Sequence, residues 1–158
     1  MKYLSILLII LIAGCNSGKN TTNENNSSRS IEELDAAPEK ILIDTKNYIL
    51  SADVWRDLMP RIDKNKSGLF LIAKLKTEDG TDIAENLIVK KAWIVRNKDI
   101  WEIDSVTSNV LQEGVMEIKA SNGPQWKPQE KVNVIIEIHR FRSVYLLQAK
   151  NILINAVY

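Results

Sequence analysis

Two stretches of the chain alternate apolar and polar side chains, and that period of two restricts the fold more than any other feature. Val132–His139 (VNVIIEIH) puts Val132, Val134, Ile136 and Ile138 on one face. Leu69–Lys76 (LFLIAKLK) does the same with Leu69, Leu71, Ala73 and Leu75. Successive side chains of a strand point to opposite faces, so runs of this kind make half-buried strands; on a helix the same apolar residues would be scattered around the circumference. From Pro38 onward the rest of the chain has this texture. Strands are predicted at 41–43, 48–50, 87–96, 100–103 and 115–120, with Met116 and Ile118 inward. A long final strand joins 144–149 to 152–157, bulged near Lys150-Asn151. Ala52–Met59 reads as a strand or a short helix closed by Pro60, since the residue before proline disfavours helix. Asp79-Gly80, Asn97-Lys98-Asp99, Asn122-Gly123-Pro124 and Arg140–Arg142 are predicted turns.

About seven or eight strands at this spacing imply an all-β fold, an antiparallel β-sandwich over residues 38–158, with a small open barrel as the alternative. Trp93 lies in mid-strand before a hairpin and resembles the core tryptophan of immunoglobulin-like domains. The likeness is architectural, because no cysteine pair accompanies it. The one cysteine of the chain is Cys15, so the domain has no disulfide and rests on an apolar core. A span on the order of 120 residues is long enough to build one.

Cys15 closes a leader. Met1 and Lys2 are followed by an apolar run, Tyr3–Ile12, interrupted only by Ser5. Its length suits the hydrophobic region of a signal peptide and falls short of the ~20 residues a membrane-spanning helix needs. Ile12-Ala13-Gly14-Cys15 resembles the lipobox of bacterial lipoproteins, with Ile12 where Leu is commonest. The resemblance implies a signal peptide over 1–14, its removal, and lipidation of Cys15 as the mature N-terminus. It also implies a place in the cell envelope, held to the membrane by acyl chains, since two or more chains anchor stably where one is marginal. Asn16, rather than Asp, follows the cysteine, which favours the outer membrane. A plain secretory signal with an incidental cysteine and an uncleaved helix are the other readings of the leader. Residues 15–37 are expected to form a flexible linker. Asn16–Ser30 holds no aliphatic or aromatic residue, so it cannot offset the entropy of ordering. At its end Ser30 is a predicted N-cap for a helical turn over Ile31–Leu34, with Glu33 at the capping-box position.

Charge and motifs exclude more than they assign. Removing Lys2 with the leader leaves 20 Lys+Arg against 20 Asp+Glu, without the basic excess of nucleic-acid binders. Asp63–Gly68 resembles the first half of a calcium loop, but its twelfth position is Lys74 instead of Glu. His139 is the only histidine, and there is no serine-elbow or glycine-rich phosphate motif. Asp53/Asp57, Glu102/Asp104 and Glu113/Glu117 are carboxylate pairs of the kind a glycosidase uses, at a frequency that chance supplies. No catalytic residue, metal ligand or cofactor is therefore assigned.

The candidate contact residues are Trp126 and the turn residues Arg140, Phe141 and Arg142. Trp126, between Pro124 and Pro128, is either a loop platform for a sugar or protein partner or a cap on the end of the sandwich. Arg140–Arg142 is either a basic tip or an ordinary solvated turn. The expected function is a lipid-anchored envelope protein displaying a non-catalytic binding or scaffold domain, with an envelope protein complex or a polysaccharide as partner. The alternative is a glycan- or peptide-directed enzyme accessory or a protease-inhibitor-like module.

Overall fold

The computed structural model describes residues 29–59, 68–104, 106–111 and 114–158. A short helix, α1 (Ile31–Asp35), precedes nine strands: β1 (Lys40–Ile43), β2 (Lys46–Asp57), β3 (Leu69–Thr77), β4 (Leu87–Arg96), β5 (Asp99–Ile103), β6 (Thr107–Val110), β7 (Val115–Ala120), β8 (Lys131–Arg140) and β9 (Ser143–Val157). The fold is all-β, and every predicted strand is present. Residues 52–57 continue β2 instead of forming a helix. Only β6 was not foreseen.

The strands pair in the order β5-β4-β8-β9-β2-β3-β7-β6, with β1 added to β2. This single sheet is curled by β9. Its first part runs antiparallel to β8, from Ser143 opposite Arg140 onward. Its last four paired residues, Ile154–Val157, run parallel to Val54–Asp57 of β2. The described pairing is therefore antiparallel with one parallel exception, within a continuous sheet. Both halves face one core. Tyr48, Leu71, Leu75 and Ile118 come from one half, and Ile94, Val134, Ile138 and Leu147 from the other. All four inward residues of each alternating run, 69–75 and 132–138, belong to that core.

The outer face of β4 and β8 is buried as well. Trp93, Val95 and Ile135 form a second cluster with Leu34 and Ala37, flanked by Ile31 and Leu146. Trp93 is thus not an inter-sheet core tryptophan. It alternates with the inward-facing Ala92 and Ile94 and so points to the opposite face, under α1. The residue that carried the immunoglobulin-like resemblance serves a different contact. The helix itself follows the predicted capping: the Ser30 hydroxyl accepts from the Glu33 N–H at 3.2 Å, which satisfies one of the otherwise unpaired N–H groups of the first turn.

Residues 29–37, assigned to the linker from sequence, pack on the sheet. Burying a side chain such as Leu34 stabilises by about 1.5–3 kcal/mol, enough to hold a short amphipathic turn in place. Gln148 of β9 ties the same segment down. Its backbone N–H donates to the Pro38 carbonyl at 2.9 Å, and its side-chain Nε2 donates to the carbonyls of Asp35 at 3.2 Å and Ala37.

Candidate functional site

Of the four candidate contact residues, Trp126 is withdrawn from the surface. It is only 8 % exposed and belongs to the main core. The Arg96 guanidinium lies 4.7 Å from its ring centroid, and Arg96 is itself held by Glu130 at 2.7 Å and Asp99 at 2.5 Å. Arg56 Nη1 donates to the carbonyls of Gln125 and Trp126 at 3.2 and 3.3 Å. A ring covered on one side and fixed through its backbone closes the end of the sheet; it offers no platform.

One of the three carboxylate pairs converges, and it does so on a lysine. Glu102 and Asp104 both bind Lys91, at 3.0 and 2.8 Å. Asp57 accepts from the Met59 N–H, and Glu117 pairs with Lys119 at 2.6 Å. Residues 63–67 of the calcium-like loop and Glu113 lie outside the described residues. Among the described residues no three His, Cys, Asp or Glu side chains meet as metal ligands would. No described helix is long and apolar enough to cross a membrane.

A cavity of about 300 Å3 opens beside the end of α1, lined by Asp35, Asn97, Lys131, Asn133 and Asn151 among others. Its polar groups bond one another: Asn133 Nδ2 donates to Asp35 at 3.4 Å, and Asn133 Oδ1 accepts from the Asn151 N–H at 3.1 Å. Those bonds fix the bulge of β9.

The β8–β9 turn is different. Three hairpins close on two-residue loops, Asp44-Thr45, Asn97-Lys98 and Phe141-Arg142, and in each the first loop residue has positive φ, 54°, 53° and 53°. Asp and Asn tolerate this left-handed conformation because a short polar side chain can bond locally; a bulky side chain in it is an outlier. Six of the seven described non-glycine residues with positive φ are Asp, Asn or Gln, and Phe141 is the seventh.

Phe141 is also 77 % exposed. The Arg140 guanidinium sits over its ring, 4.1 Å from the centroid. Arg140 is anchored from below. Its Nε and Nη2 donate to Asp44 at 3.3 and 3.2 Å, and its Nη1 donates to the Glu85 carbonyl. Arg140 therefore does not present its charge as a basic tip. It positions the phenyl ring, and Arg142 is the exposed cation of the pair.

Apolar residues that sequence reasoning missed continue from this turn. Ile88 pairs with His139 across β4–β8, and His139 with Val144 across β8–β9. The three form a row over adjacent strands on the outer face, with Ile88 47 % and Val144 48 % exposed. Leu42 of β1, 62 % exposed, extends the row. It lies between the Pro38–Gln148 and Asp44–Arg140 ties, and its neighbours Ile41 and Ile43 point inward. The two-residue turn alone predicts the His139–Val144 pairing; Leu42 has no such local signal.

The row meets the N-terminal segment at Glu137, two residues before His139 on the same face of β8. One carboxylate oxygen accepts from His139 Nε2 at 2.7 Å. The other accepts from Arg29 Nε and Nη2 at 3.2 and 2.7 Å. Burial pushes the Glu137 carboxyl up, but the bonds from His139 and then Arg29 outweigh it and hold it below the usual carboxylate range.

No protein-family model, no curated protein and no solved structure matches this chain.

Proposed function

We propose that the chain is a lipid-anchored cell-envelope lipoprotein that displays a non-catalytic β domain as a binding or scaffold module. The observation that carries the reading is the leader sequence ending at Ile12-Ala13-Gly14-Cys15, with a tract free of aliphatic and aromatic residues following it as far as Ser30. The site geometry supports the non-catalytic part. Of the sequence-level carboxylate pairs, Glu102 and Asp104 meet on the ammonium of Lys91, at 3.0 and 2.8 Å, as a salt-bridged pair, and Phe141, the bulky residue at positive φ among the described ones, is an exposed aromatic ring with a guanidinium over it. The partner is an envelope protein complex or a polysaccharide, and the outer membrane is the favoured location.

Cys15→Ala tests the anchor. Metabolic palmitate labelling should disappear, and the protein should move from the membrane to the soluble fraction. Labelling and membrane retention at the parental level would refute the lipoprotein assignment.

A further inference from the structure

We propose that the β8–β9 turn and its apolar row form the contact face between this domain and the bilayer that carries the Cys15 acyl chains; the inference rests on the anchor reading above. Three observations converge on it. Phe141 occupies a backbone conformation that the equivalent loops fill with Asp and Asn, and its exposed ring lies under the Arg140 guanidinium. A strained, pre-positioned residue that is also exposed points to a role in recognition. Near it on the outer face stand the exposed apolar residues Ile88 and Val144, one on either side of His139, with Leu42 on β1 beyond them.

The third observation selects the occupant. Arg29, the first described residue, is bonded to Glu137, about 7 Å along β8 from His139 in the row, because alternate strand residues are that far apart. Thirteen residues separate Arg29 from Cys15, so chain length alone keeps the two within at most roughly 50 Å. The anchor is therefore attached on the side of the domain that carries this row, and a weak contact made by that side is reinforced as an intramolecular event.

The chemistry fits a headgroup–acyl boundary. An aromatic ring and aliphatic side chains enter the interface, while Arg142 and the exposed Lys90 of β4 meet anionic phosphates. Arg140 pairs with Asp44 at 3.2 Å beside the turn.

The test uses the full lipidated chain with a single added thiol. Ser143→Cys places an environment-sensitive dye at the turn, and Lys98→Cys places it at the opposite end of β4. Each protein is reconstituted into vesicles of phosphatidylethanolamine and phosphatidylglycerol with brominated acyl chains. Quenching by the brominated lipid should be severalfold stronger at position 143 than at 98. Adding Phe141→Ser and Val144→Ser should abolish the difference while the protein still floats with the vesicles. Flotation with equal quenching at both positions would overturn the contact face and leave the anchor standing. Failure of the parent chain to float would overturn the anchor and the contact face with it. Shielding of the 143 dye from iodide that persists without lipid would mean a protein contact, and would also overturn the proposal.

Discussion

Glu137 is the residue through which the start of the packed chain reports on pH. Its carboxylate accepts from Arg29 and His139 and is held below its ordinary range. A group whose folded pKa is depressed stabilises the fold above its unfolded value, and that stability is lost as pH falls through the folded one. The melting temperature should therefore exceed that of Glu137→Gln at neutral pH, by the equivalent of about 1–3 kcal/mol for hydrogen bonds to a charged group. The gap should close on acidification through and below the usual carboxylate range, in melts of both proteins from pH 7 downward. A gap constant with pH would mean that the charge plays no part. At this scale the sequence was partly legible. Asn97 and the Asp79-Gly80 pair advertise turns because their side chains suit them. Phe141 advertises nothing, since no propensity places a phenylalanine at positive φ, and only the geometry reveals it.

Among the elements, α1 shows how a correct local reading can miss a contact. Ser30 and Glu33 announce the helix through capping. Two apolar residues on a five-residue helix say nothing about where it docks. The answer comes from Trp93 and Ile135, more than fifty residues away, which leave the outer face of β4 and β8 apolar and in need of cover. Leu34→Ala should cost about 2–5 kcal/mol, as large-to-small changes at fully buried sites do. Urea denaturation of the two proteins measures this, read as a lower midpoint with an unchanged slope. A free linker would show no change. The strand β6 escaped notice for a related reason. Thr107–Val110 holds a single apolar residue and pairs only with β7, so no alternation marks it.

Across the whole molecule, the strand runs were legible and their order was not. Alternation identifies a strand from its own residues, whereas the β2–β9 pairing joins segments about a hundred positions apart and leaves no local trace. That pairing carries weight. Ile154 is fully buried, and the Leu58 N–H donates to the Val157 carbonyl at 2.8 Å beside it. A chain ending at Leu153 should therefore leave β2 with an open edge and an uncovered core. It should lose its cooperative melt and aggregate in light-scattering assays; a soluble product with the parental transition would show that β8 and β9 close the sheet without β2.

The position of β9 after the other eight described strands also fixes an order of events. Chains are made from the front, at roughly 5–20 residues per second, and non-local pairing of this kind forms slowly. The core cannot close while its last fifteen residues are still being made. Until then β8 lacks its partner along Lys131–Arg140, and Val54–Asp57 of β2 lack theirs. The eight earlier strands must therefore wait with their inner faces uncovered, and the delay is set by the place of one strand in the sequence.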